Sequence, residues 1–139
     1  MLTLAEVGPD DLVYDLGCGD GRIVVAAARD YGARGVGFDI DPQRIAESKA
    51  RASAAGVEHM VTFIQQDAAE ADLSPATVVT LYMGSSWSEM ISTKLRNQLK
   101  PGSRVVSHNS DFSTWPPNQM KFVTSNRNEM RPLFLWRIE

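Results

Sequence analysis

Apolar residues along the chain form short continuous runs that alternate with longer runs of amphipathic spacing. The continuous runs predict buried strands over residues 12–17, 35–40, 61–67, 77–82 and 104–109. The amphipathic runs predict helices over residues 22–31, from Asp41 to about Ala55, and from Ser86 to Leu99. Nearly continuous apolar strands separated by helices are typical of parallel sheets covered on both faces. The pattern therefore predicts an α/β fold, a doubly wound and mostly parallel sheet in a three-layer αβα arrangement.

Local signals mark the ends of several elements. Asp41 followed by Pro42 is a typical helix start, because an aspartate caps free amides and proline fits the first helical position. Ser86 and Glu89 have the spacing of a capping box. Near the C-terminus, residues 119–125 and 133–139 predict a pair of antiparallel strands.

Size and composition indicate a single globular domain over residues 1–139, with 43% apolar residues. The net charge of −3 does not indicate a nucleic-acid partner. No apolar stretch approaches the ~20 residues of a membrane helix, and the N-terminus does not resemble a secretory signal. The single cysteine, Cys18, excludes an internal disulfide framework, so we expect a reducing, cytoplasmic location. Two isolated histidines and one cysteine predict no metal site.

The stretch DLGCGDGR, residues 15–22, places three glycines between the first strand and the first helix. Without Cβ atoms the backbone can approach a ligand closely, and the helix that follows offers unpaired amides. The G-x-G-x-G spacing departs from the G-x-G-x-x-G of dinucleotide-binding folds. Asp15 and Asp20 would repel a pyrophosphate, so they favour a ligand that carries an ammonium or sulfonium charge.

Two further strand ends place acidic residues at the same edge of the predicted sheet. Asp39 ends the second strand, where a carboxylate can accept hydrogen bonds from ribose hydroxyls, and Ile40 could lie on a flat base. Asp67, followed by Ala68, ends the third strand and could accept a hydrogen bond from an adenine amine. Each aspartate, like Asp41, could instead cap a helix or lie in a solvated turn. Together with the glycine loop they favour the ligand-binding interpretation.

With these motifs the chain resembles the class I S-adenosylmethionine-dependent methyltransferases. VYDLGCGDGR is similar to their first motif, VGFDIDP to the second and FIQQDA to the third. More narrowly, the first two motifs together with ATVVTLY and LKPGSRVVSHN resemble a small family related to the lysine methyltransferases of mitochondrial membrane proteins. The resemblance implies a Rossmann-like sheet of seven strands, S-adenosylmethionine as the methyl donor, and a lysine side chain as a possible acceptor.

The resemblance also assigns cofactor-binding residues by motif position. The residues it places around the methionine portion are Asp15, Gly17, Gly19 and Asp20, with Cys18 as a small loop residue between the glycines. It implies that Asp39 holds the ribose. The residues it places at the adenine are Ile40, Asp67 and the adjoining Ala68.

Candidate catalytic residues come at the ends of the fourth and fifth strands. Methyl transfer from a sulfonium is an in-line displacement that depends mainly on alignment in a dry pocket, but a lysine acceptor must first lose a proton. Tyr82 and His108 could orient the amine or take that proton, although either could be a structural residue. Trp115 could line an acceptor pocket or anchor a loop.

Two departures from the family leave alternatives open. Relatives usually carry an N-terminal segment that closes over the cofactor, whereas this sequence starts at MLTLAEV. In addition, YMGSSWSEM replaces the expected Leu-Pro-Glu-like or Leu-Pro-Asn-like stretch that faces the transferred methyl group. The chain could therefore be a catalytically weak or inactive S-adenosylmethionine-binding domain, or, against the glycine spacing, an NAD-binding or other nucleotide-binding module.

The size of the chain bears on the nature of the methyl acceptor. A chain of this length has no inserted domain that would enclose a small-molecule acceptor. An open site suits a side chain that protrudes from a protein, or a site completed by a second copy in a homo-oligomer. A small-molecule acceptor remains the alternative.

Overall fold

The computed structural model of the chain describes residues 1–81, 88–108, 112, 115–124 and 127–139, without the side chains of residues 88 and 89. The strands within these residues are β1 (Leu12–Leu16), β2 (Arg34–Asp39), β3 (Val61–Gln65), β4 (Val78–Leu81), β5 (Arg104–His108), β6 (Gln119–Thr124) and β7 (Met130–Arg137). The helices are α1 (Arg22–Tyr31), α2 (Pro42–Ala54) and α3 (Ser88–Gln98), with a short 3₁₀ helix at Ala68–Glu70. The predicted strand–helix order is confirmed, and α1 has the predicted bounds.

Within the described residues, seven strands form one sheet in the order β3-β2-β1-β4-β5-β7-β6. The strands β1 to β5 pair in parallel, whereas β7 runs antiparallel to both β5 and β6. This arrangement confirms the Rossmann-like, mostly parallel sheet with a C-terminal antiparallel pair. The strand order reverses between β1 and β4, and α/β sheets bind ligands at such a switch point, beyond the carboxyl ends of the strands.

Apolar side chains cover both faces of the sheet, which confirms the three-layer arrangement. On one face, α1 and α2 contribute Val24 and Ile45 to a buried cluster. On the other face, Leu95 of α3 belongs to a cluster that includes the fully buried Trp136 of β7. The sheet is therefore held rigidly between two apolar layers, and its carboxyl edge is a stable platform for a site.

Local sequence fixes the helix ends. The Asp41 carboxylate accepts a hydrogen bond of 2.9 Å from the backbone of α2, so the predicted cap is confirmed. The flanking residues of α1 are Gly21 and Gly32, whose φ angles of 81° and 70° lie in the left-handed region that glycine adopts without strain. The capping box predicted for α3 falls on Ser86 and the side chain of Glu89, which are outside the described residues.

A polar network joins three strands at the opposite, amino edge of the sheet. The Thr77 hydroxyl donates to an Asp11 carboxylate oxygen at 2.8 Å and accepts from the backbone amide of Leu12 at 2.8 Å. Arg104, at the start of β5, forms an ion pair with the same carboxylate. Both charged side chains are largely buried, with 17% and 14% exposure, so the pair is shielded from water.

Candidate cofactor and active site

A cavity of about 630 Å³ opens at the switch point, beyond the carboxyl ends of β1 and β5. Its polar lining includes Asp15, residues 17–20 and His108. Its apolar lining includes Ile23, Val123 and Leu133. The structure thus brings five of the predicted cofactor-binding residues together with one predicted catalytic residue.

Asp15 lies at the base of this cavity as a buried carboxylate with 2% exposure. Burial raises its pKa to about 7, a hydrogen bond from Thr80 opposes this shift, and the nearby carboxylates of Asp39 and Asp20 add to it. Taking a carboxylate out of water disfavours its charged form, and a neighbouring cation restores it. The position therefore suits a ligand that carries a positive group.

The glycine loop is attached to the neighbouring strand by its backbone. The amides of Gly17 and Cys18 both donate to the Phe38 carbonyl of β2, at 2.9 and 2.8 Å. Gly17 and Gly19 have φ angles of 75° and 57°, so a side chain at either position would be strained. The loop therefore presents bare backbone to the cavity, as the sequence predicts.

Asp39 ends β2 with both carboxylate oxygens bonded to backbone amides. One oxygen accepts from Gly19 at 3.0 Å and the other from Asp41 at 3.0 Å. These bonds fix the side chain between the glycine loop and the start of α2. Ile40 follows it and is 69% exposed, so a large apolar side chain faces solvent where the sequence predicts contact with a flat base.

Asp67 lies two residues after the end of β3, not in the strand as predicted, and has the role of a cap. Its carboxylate accepts a hydrogen bond of 2.9 Å from Ala69 and begins the short 3₁₀ helix, in which Ala68 is buried. The aspartate thus lies at the predicted edge of the sheet, and one of its oxygens is hydrogen-bonded to the backbone amide of Ala69. The adenine contact of Asp67 and Ala68 stays a prediction.

Cys18 lines the cavity and is itself a buried residue, with 5% exposure. The sulfur lies 3.9 Å from the Ser48 hydroxyl, and a Cβ atom on Gly37 would come within 3.0 Å of it. Burial raises the pKa of the thiol to about 11. Such a thiol is an inert structural group, in agreement with its interpretation as a small loop residue.

Asp20 is already paired with two arginines. Its carboxylate lies 2.8 Å from Arg22 and 3.0 Å from Arg51, and the hydrogen bonds from Arg22 lower its pKa to about 2. The methionine contact of Asp20 stays a prediction, but the charge expected to attract a cation is balanced within the protein. Nothing in the sequence signals the pairing with Arg51, which is 31 residues away.

His108 ends β5 on the wall of the cavity, while Tyr82 lies outside the described residues. Burial lowers the pKa of His108, and the charges of Arg131 and the N-terminus lower it further. The imidazole is therefore neutral at about pH 7 and can accept a proton.

Trp115 lies on the α3 side of the sheet, outside the lining of this cavity. Its carbonyl accepts a hydrogen bond of 2.8 Å from the Trp136 indole, and its ring stacks on Phe112 at a centroid distance of 5.6 Å. The Arg96 guanidinium lies 5.3 Å from its ring centroid. These contacts support the interpretation of Trp115 as a loop anchor.

Sequence reasoning missed the apolar wall formed by Val123 of β6 and Leu133 of β7. Both side chains reach the cavity because β7 pairs with β5, which brings the C-terminal hairpin beside His108. No local pattern signals this wall, because the alternating apolar residues of β6 are the exposed Met120 and Phe122, and residues 133–136 of β7 are continuously apolar. Among the described residues, no cluster of acidic, histidine or cysteine side chains could hold a metal ion, and no helix could cross a membrane.

The sheet order, the glycine loop with its buried acid, and the acid that ends β2 define a class I S-adenosylmethionine-dependent methyltransferase. The chain belongs to the ANTKMT methyltransferase domain family, whose sequence model matches residues 15–119. The predicted class, cofactor and enzymatic nature are thereby confirmed.

Three similar proteins illustrate this relationship. A protein-lysine N-methyltransferase of Saccharolobus islandicus is 41% identical over 137 residues, which cover 97% of this chain and 85% of the relative. The adenine nucleotide translocase lysine N-methyltransferase of Mus musculus is 31% identical over 84% of this chain, which spans about half (51%) of that relative. The crystal structure of an RNA methyltransferase from Salinibacter ruber, in complex with S-adenosyl-L-homocysteine, superposes with a TM-score of 0.92 at 44% identity. That match covers 99% of this chain and 86% of the other.

Proposed function

We propose that this methyltransferase transfers the methyl group of S-adenosylmethionine to the side-chain amine of a lysine in a protein. The observation that carries the proposal is the cavity at the switch point, in which a neutral histidine and an apolar wall lie beside the glycine loop. The names of the Saccharolobus and Mus musculus relatives support a lysine acceptor.

The residues at the carboxyl ends of β1 and β2 fit the cofactor. The buried Asp15 lacks a countercharge on its own strand, and it suits the ammonium group of the methionine portion. The left-handed glycines leave the backbone open to close approach. Two backbone amides hold the Asp39 carboxylate in place. Its remaining lone pairs can accept hydrogen bonds from the ribose hydroxyls.

The chain's own residues prepare the acceptor. Bound S-adenosylmethionine supplies an electrophilic methyl group on a sulfonium sulfur. Val123 and Leu133 would pack along the methylenes of the lysine and exclude water. The neutral imidazole of His108 would take the proton that the lysine ammonium must lose before its nitrogen can attack. Tyr82 remains a second candidate for orienting the amine.

The test is a transfer assay with radiolabelled S-adenosylmethionine on lysine-rich proteins, on the same proteins with acetylated lysines, and on RNA. We expect label on the unmodified proteins only, and peptide mass spectrometry should locate it on lysine. Because the Salinibacter protein is described as an RNA methyltransferase, RNA is the competing acceptor. Label on RNA with none on protein would contradict the proposal.

A further inference from the structure

Helix α2 holds the glycine loop from behind through two side chains. The Ser48 hydroxyl donates to the Gly19 carbonyl at 2.9 Å. The Arg51 guanidinium donates to the Asp20 carbonyl at 3.2 Å and to the Asp20 carboxylate at 3.0 Å. Two consecutive carbonyls of the loop are therefore fixed by one helix.

The contact between α2 and the loop is tightly packed. Ser48 is fully buried, and a Cβ atom on Gly21 would lie 2.8 Å from the Ser48 Cβ. Gly21 has a φ angle of 81°, so both space and backbone conformation require glycine there. The third glycine of the motif is thus explained by the approach of α2 and not by the ligand.

Gly19 links α2 to Asp39, the residue predicted to bind the ribose. The carbonyl of Gly19 accepts from Ser48, and its amide donates to Asp39 at 3.0 Å. The loop orientation that Ser48 enforces therefore also fixes the direction of the Asp39 carboxylate. Ser48 is fully buried behind the loop and Arg51 is bonded to Asp20, so both side chains are occupied by the loop itself.

We propose that Ser48 and Arg51 are positioning residues, which hold the glycine loop in its binding conformation and so set the affinity for S-adenosylmethionine. The inference rests on the proposed assignment of the loop and Asp39 to the cofactor. Losing either side chain leaves the loop free to sample other conformations, and apparent affinity falls with the fraction of protein in the competent one. Once the cofactor is bound, the loop is held by the ligand.

The test compares Ser48→Ala, Arg51→Ala and Arg51→Lys with the wild type by calorimetry with S-adenosylmethionine and S-adenosylhomocysteine. We expect the dissociation constants to rise about three- to tenfold in Ser48→Ala and in Arg51→Ala. Arg51→Lys should recover part of the loss, because the ammonium can still pair with Asp20. With an acceptor, KM for the cofactor should rise while kcat at saturating cofactor is unchanged.

The control variant is Arg29→Ala, which removes a comparable exposed ion pair, to Asp30 at the end of α1. It should change neither the affinity nor KM. Melting temperatures of all variants separate loop positioning from a general loss of stability. Unchanged affinity in both Ser48→Ala and Arg51→Ala, with wild-type binding intact, would overturn the positioning role alone. Failure of the wild type to bind either ligand would contradict the site assignment, and the positioning role with it.

Discussion

Asp15 of β1 accepts a hydrogen bond of 2.8 Å from the hydroxyl of Thr80 in β4, and the two residues face each other across the switch point of the sheet. Both side chains are buried. One carboxylate oxygen is therefore held by a neutral donor. We infer that this donor orients the carboxylate toward the cavity, where a cation can bind it.

Replacing Asp15 with Asn should weaken cofactor binding, because the amide cannot neutralise an ammonium group. The loss of a charge-assisted hydrogen bond corresponds to about a 10- to 100-fold rise in the dissociation constant. Calorimetry with S-adenosylhomocysteine measures the effect. Undiminished affinity in Asp15→Asn would show that the carboxylate does not bind the ligand.

The same substitution should change how stability depends on pH without ligand. Burial raises the pKa of Asp15 from 3.8 to about 7, so the folded state binds the proton more tightly than the unfolded state. Between these two values the free energy of unfolding contributed by Asp15 falls as pH rises, and the penalty persists above about pH 7. Thermal unfolding across this range should show a smaller decline for Asp15→Asn than for the wild type. If the stability of Asp15→Asn and of the wild type declined equally with pH, groups other than Asp15 would be the cause.

Thr80→Val should weaken cofactor binding in a pH-dependent way, since it removes the hydrogen bond that lowers the Asp15 pKa. The titratable and charged groups around that carboxylate are Asp20, Asp39, Arg22, Arg44, His108 and the N-terminus. These are unchanged by the substitution, so the midpoint of binding against pH should move upward. Thr80→Ser keeps the donor and should behave as the wild type. A midpoint that moves equally in both variants would attribute the effect to packing.

His108→Gln should lower kcat about 100-fold or more while cofactor affinity is retained, because the glutamine amide cannot take a proton. In the wild type, activity should fall on the acid side as His108 becomes charged. That fall is expected below the ordinary histidine pKa, since burial lowers the value. Transfer rates measured against pH test both points. If the activity of His108→Gln fell at acidic pH as that of the wild type does, His108 would not be the group whose protonation causes the fall.

Arg104→Ala should destabilise the fold without affecting the site, which lies at the other edge of the sheet. The substitution leaves the largely buried Asp11 carboxylate without its cation, and we expect a loss of about 2–3 kcal/mol. Urea unfolding measures it, and Arg29→Ala, which breaks an exposed pair, should leave the free energy of unfolding nearly unchanged. If Arg104→Ala and Arg29→Ala lowered the free energy of unfolding equally, burial of the Arg104–Asp11 pair would not explain its contribution to stability.

Elements with a strong local signal could be predicted from the sequence. The cap of α2 and the bounds of α1 depend on neighbouring residues alone, and they are as expected. β7 begins at Met130, three residues before the predicted strand. Pro132 argues against a strand interior, but it lies one position beyond the last pair between β5 and β7, and among the described residues its strand partner is Phe122 of β6.

Within the site, the acids and glycines at strand ends could be predicted because parallel topology gathers those ends at one edge. The pairing of Asp20 with Arg51 could not be predicted, because it depends on how closely α2 packs against the loop. The buried donor to Asp15 likewise depends on the register of β1 with β4, which no local pattern encodes.

The most direct test of the central claim is calorimetric titration of the wild type and Asp39→Ala with S-adenosylmethionine, S-adenosylhomocysteine and NAD. We predict that the wild type binds the first two ligands and not NAD, and that Asp39→Ala binds none of them. Binding of NAD alone, or equal binding of S-adenosylmethionine by both proteins, would contradict a cofactor site at the ends of β1 and β2.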